Sequence, residues 1–97
     1  MSKYEHYKAE LAKGNEAKMT VFGQSMMPII KSGSTLTFKQ FDEYEVGDIV
    51  FCRVKGRMID AHKITKKDTN KGYMIANNKG WENGWTKTIY GKVIAIN

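Results

Sequence analysis

The chain has 97 residues, 41% of them hydrophobic and 27% charged, which fits one small globular domain and excludes a disordered chain. A formal charge of +6 leaves an acidic partner open, but the lysines are scattered and no long basic run marks a nucleic-acid arm. Cys52 is the only cysteine, so no internal disulfide can form, and with only His6 and His62 beside it no zinc-ligand spacing exists; no cofactor is expected.

Residues 2–13 are predicted as a helix. Ser2 and Glu5 have capping-box spacing, Tyr4, Tyr7 and Leu11 share a face, and Gly14-Asn15 ends it. Residues 18–22 read as a strand that stops at Gly23. An apolar turn with Met26, Met27, Ile29 and Ile30 follows, its short helical part starting near Pro28. Residues 34–40 alternate, with Leu36 and Phe38 on one face and Thr35 and Thr37 on the other. Residues 41–47 are acidic and turn-like. Residues 48–54 are apolar on both faces, the mark of a central strand. Lys55-Gly56-Arg57 is a hairpin turn and residues 58–65 the returning strand. A turn over 68–72 leads to a short strand at 73–76. Residues 77–85, rich in Asn, Gly and Trp, read as a loop, and residues 86–96 as a last strand interrupted at Gly91.

These elements describe a mainly β protein, a partly closed antiparallel fold with an N-terminal helix. The expected organisation is a single domain over 1–97, the helix at 2–13 and the β domain at 18–96. No apolar segment approaches the roughly 20 residues that a membrane helix needs. The N-terminus lacks the apolar region of a signal peptide, so a soluble, cytoplasmic protein without a membrane anchor is expected.

Two stretches can carry chemistry. Ser25 stands at the corner after Gly23, where glycine lets a ligand approach and backbone N–H groups can face a developing oxyanion. Taken alone, this stretch is better accounted for by an ordinary serine in an ordinary turn. The second is Asp60-Ala61-His62-Lys63-Ile64. Strict alternation sends Asp60, His62 and Ile64 one way, and Ala61 and Lys63 the other. An imidazole, with an ordinary pKa near 6.5, serves as a base at neutral pH, whereas a lysine near 10.4 needs strong desolvation. Asp60 is about 6–7 Å from His62 along the strand, so a direct carboxylate–imidazole contact is left open. A strand histidine packed at the sheet surface is the competing explanation.

Taken in order, Gly23-Gln24-Ser25-Met26-Met27-Pro28, Lys31-Ser32-Gly33, Val46-Gly47-Asp48-Ile49-Val50, His62-Lys63-Ile64, Ile75-Ala76-Asn77-Asn78 and Tyr90-Gly91-Lys92-Val93 resemble the S24/S26 serine peptidase superfamily, the signal peptidases and LexA-like peptidase domains. The resemblance covers about residues 19–96. It implies that Ser25 is the nucleophile and His62 the general base, a position that bacterial signal peptidases and LexA-like proteins fill with lysine. The His62-Lys63 pair is similar to the His-Arg pair of archaeal and endoplasmic-reticulum signal peptidases. It also implies an oxyanion hole that includes the Ser25 N–H, with Gly23 and Met26 beside it, and substrate contacts at Met27 and Pro28. Substrates would bind as an extended strand along the sheet edge.

The family's Gly-Asp-Asn box reads Ala76-Asn77-Asn78 here, so Asn77 stands where an acid would assist the base. An amide orients an imidazole but gives its cation no counter-charge, which argues for weak or absent catalysis. The lack of an anchor argues against preprotein processing, and the short segment ahead of Lys18 argues against a repressor. The small size fits a stripped-down member carried by a phage or mobile element. Three functions follow: a soluble serine peptidase with a Ser25/His62 dyad, a peptidase-like protein-binding module, and a basic nucleic-acid binder with Trp81 and Trp85 as stacking platforms.

Overall fold

The computed structural model describes residues 3–24 and 26–97; Ser2, half of the expected capping box, and Ser25 lie outside the described residues. The elements are helix α1 (Lys3–Ala12) and strands β1 (Ala17–Thr20), β2 (Thr35–Lys39), β3 (Ile49–Val54), β4 (Arg57–Asp68), β5 (Gly72–Ala76), β6 (Glu82–Thr86) and β7 (Ile89–Ile96). The strands make one antiparallel sheet in the order β1-β2-β7-β3-β4-β5-β6. The sheet curls back on itself: the Thr86 hydroxyl at the end of β6 donates to the Arg53 carbonyl of β3, two strands that are not neighbours in the sheet order.

α1 ends where expected. The Asn15 N–H donates to the Glu10 carbonyl and the Gly14 N–H to the Leu11 carbonyl, with Gly14 at φ 88°, which is the Schellman arrangement. The face carrying Tyr4, Tyr7 and Leu11 is the packed one, with Leu11 wholly buried. The hairpin between β3 and β4 has Lys55 and Gly56 at φ 51° and 81°, the positive-φ pair that a two-residue turn of matching twist requires.

β3 is central, with an apolar core on each side. Phe51 joins Leu11, Met19, Leu36, Phe38 and Tyr90 under α1. Val50, Cys52 and Val54 join Tyr44, Ile64 and Ile75 within the curl. Tyr44 was hidden in an acidic, turn-like stretch. Its side chain is buried because its hydroxyl accepts the Phe41 N–H at 2.9 Å while its own N–H donates to the Tyr73 hydroxyl at 3.3 Å.

Two expectations need correction. Residues 82–85 are not loop but, with Thr86, form strand β6, paired with β5 from Tyr73↔Thr86 to Ala76↔Glu82, so the loop shrinks to residues 77–81 and the last strand begins at Ile89, not at Thr86. Gly91 does not interrupt the last strand; β7 runs through it. A Cβ there would stand 3.0 Å from the Lys39 carbonyl oxygen and 3.3 Å from Leu11 Cδ1, so the glycine lets β2 and α1 close onto β7.

Gly91→Val is therefore expected to cost about 1–3 kcal/mol through overpacking, read as a lower thermal midpoint; an unchanged midpoint would contradict the packing described. Burial in the curl also pushes the Cys52 thiol up to about 12. The folded thiol keeps its proton above the ordinary cysteine pKa of about 8.5. Its contribution to stability is thus present below that pH and falls as pH rises beyond it. At pH 8, iodoacetamide should alkylate the guanidinium-unfolded chain and leave the native protein unmodified.

Candidate active site

The chain leaves β1 still paired to the segment before β2: the Val21 N–H donates to the Ser34 carbonyl at 2.9 Å, and the Gly33 N–H to the Val21 carbonyl at 2.7 Å. It bends at Gly23, whose φ of 106° is unfavourable for a side chain. The Gly23 N–H donates to Ser32 Oγ at 3.0 Å, so this candidate oxyanion donor is already engaged. Beyond Ser25 the helical turn closes from Ile30 N–H to the Met26 carbonyl at 2.9 Å, two residues earlier than Pro28, and the Met27-Pro28 peptide bond is cis. Met26 and Ile30 are buried in the core under α1, which fixes the turn; Phe22, Met27 and Ile29 are exposed.

On the facing strand, β4 holds one residue more than β3 can match. Cys52 pairs with Ile59 and Val50 with His62, so three steps of β4 span two of β3. The strict alternation expected for residues 60–64 is therefore broken at its start. Ala61 enters the core under α1, and His62 comes opposite Val50. β4 pairs with β5 only from Lys63 to Asp68. Among the described residues, no strand covers the second edge of residues 57–62.

Gly23 and Met26, on either side of Ser25, share a small cavity of about 20 Å³ with Asp60 and Ala61, the two residues ahead of His62. A larger cavity of about 280 Å³ lies alongside, lined by Tyr4, Asp60, His62 and Asn83 among others. His62 Nδ1 is 2.8 Å from Asn83 Oδ1. An amide oxygen only accepts, so Nδ1 carries the proton and the basic lone pair of the neutral ring is on Nε2.

The group behind the imidazole is thus Asn83 of β6, which the sequence reading placed in a loop. The two earlier candidates are occupied otherwise. Asp60 Oδ2 accepts the Tyr4 hydroxyl at 3.1 Å. Burial first, and the Asp60 charge second, hold the Tyr4 phenol above its ordinary pKa. Asn77 Oδ1 accepts the Lys79 and Trp81 N–H groups, both at 2.9 Å, and so shapes its own loop. Asn78 reaches the serine turn, its Nδ2 donating to the Met27 carbonyl at 3.0 Å. No signal in the sequence marks Asn83, because its position depends on the β5–β6 register. Trp81 is exposed, whereas Trp85 lies within β6, opposite Met74, with the Lys71 ammonium 5.4 Å from its ring centroid.

Among the described residues, no helix is long and apolar enough to cross a membrane, and no group of three or more His, Cys, Asp or Glu converges as metal ligands do. A family model described as Peptidase S24-like matches residues 2–94, nearly the whole chain. The chain belongs to that family, within the S24/S26 serine peptidase superfamily. A search of curated proteins returned no match.

Asn83 sets a direct expectation. Asn83→Asp puts a carboxylate against Nδ1–H, which stabilises the imidazolium, and should raise the rate of labelling by a serine-directed fluorophosphonate about tenfold or more. Asn83→Leu removes the acceptor and should lower it. Rates that are the same in both variants would separate Asn83 from the chemistry.

Proposed function

We propose that the protein is a serine peptidase that acts on an extended peptide, with Ser25 as nucleophile and His62 as general base. One observation carries the reading: residues flanking Ser25 and residues leading into His62 line one cavity, in a chain of the S24-like peptidase family. Ser25 Oγ attacks the peptide carbonyl carbon as His62 Nε2 takes the hydroxyl proton. The same proton passes to the leaving amine, and the peptide C–N bond breaks to give an acyl-serine. Water, deprotonated by His62, then releases the acid and restores the serine. Asn83 supports this by holding the tautomer that presents Nε2 as acceptor. The edge of β4 over residues 57–62 offers N–H and C=O groups to a substrate strand, so main-chain hydrogen bonds would supply affinity.

The Asn83 amide favours a second reading, a peptide-binding module that cuts slowly or not at all, because it offers no negative charge to the imidazolium. A fluorophosphonate separates the two. The expected result at pH 8 is a single adduct on the wild type by intact mass, none on Ser25→Ala, and phosphonylation of His62→Ala slower by about 100-fold or more. Lys63→Met should keep the adduct. No adduct on the folded wild type, with peptide binding retained in Ser25→Ala, would leave the module; loss of the adduct in Lys63→Met alone would move the base to lysine.

A further inference from the structure

Between the strand that carries His62 and the turn that follows Ser25 in sequence lies a side chain hydrogen-bonded to both. Asn78 Oδ1 accepts from Lys63 Nζ at 3.3 Å, and Asn78 Nδ2 donates to the Met27 carbonyl at 3.0 Å. Lys63 follows His62 directly, and Met27 lies two residues past Ser25.

We propose that Asn78 is a positioning residue that sets the distance between the serine turn and β4; this rests on the peptidase reading above. The orientation of its amide is dictated by its neighbours. An ammonium only donates and a carbonyl only accepts, so Oδ1 must face Lys63 and Nδ2 must face Met27. Any group that accepts on both sides fails at Met27, and any group that donates on both sides fails at Lys63. The backbone of Asn78 is fixed in turn by Asn77, whose Oδ1 binds two N–H groups of the loop, and by Gly80 N–H donating to the Asn77 carbonyl at 3.2 Å. The bracket holds the turn on its solvent side, where Met27 and Ile29 are exposed. Met26 and Ile30 hold it on the core side.

Asn78→Asp tests the claim more sharply than Asn78→Ala. The aspartate keeps and strengthens the contact with Lys63, but turns a second oxygen toward the Met27 carbonyl. If Asn78 merely anchored Lys63, the aspartate would serve as well as the amide. Positioning predicts that both variants are phosphonylated by the fluorophosphonate about 10- to 100-fold more slowly, while the thermal midpoint stays near the wild type. In peptide cleavage the loss should fall on kcat, with KM little changed. Phosphonylation of Asn78→Asp at the wild-type rate would overturn the proposal. Should the wild type itself fail to react with the fluorophosphonate, the peptidase reading falls and the bracket is judged on the ¹³C′ shift of Met27. That shift should move in both Asn78 variants, and an unchanged shift would overturn the bracket.

Discussion

The candidate site depends on one extra residue in β4. Where Cys52 to Val50 advances two positions along β3, Ile59 to His62 advances three along β4. In an unbroken ladder Ala61 would stand opposite Val50, and His62 opposite Ile49. The bulge moves each residue by one position. Ala61 then fills a small space in the core beneath α1, and the imidazole reaches Asn83 instead of competing for that core. Asp60, the residue taken up by the bulge, borders both cavities and is held by Tyr4. Bulges bend the bulged strand and re-aim its side chains, and both effects are used here.

The two cores on either side of β3 grip the segments that flank the candidate site. The core under α1 grips the serine turn through Met26 and Ile30 and grips β4 through Ala61. The core within the curl grips β3, β4 and β5 through Val50, Ile64 and Ile75, with Tyr44 covering it from the loop before β3. α1 is part of this frame and not an appendage. Leu11 is wholly buried, Tyr4 stacks near Phe51 with ring centroids 5.7 Å apart, and Tyr4 also walls the cavity that holds His62.

Much of the fold was legible because it rests on local pattern. The apolar spacing of α1, the two-sided apolarity of β3 and the Lys55-Gly56 turn each follow from neighbours in sequence. β6 was not legible. Glu82-Asn83-Gly84-Trp85 carries no β-branched residue and looks like a loop, and it is a strand only because β5 pairs with it. Gly91 was misread for a related reason: a strand glycine marks either a break or a close approach, and only the positions of Lys39 and Leu11 decide between them. Within the site, the order of motifs pointed to Ser25 and His62. The group that orients the imidazole could not be read, since Asn77, Asp60 and Asn83 differ only in the register of distant strands.

The account stands on the state of the His62 ring, which can be read without any substrate. A long-range ¹H–¹⁵N correlation at neutral pH should show Nδ1 protonated and Nε2 as the pyridine-type nitrogen, with the Nδ1 proton lost from view in Asn83→Leu. A ring protonated on Nε2 in the native protein would contradict the arrangement, because the nitrogen needed as base would then already hold the proton.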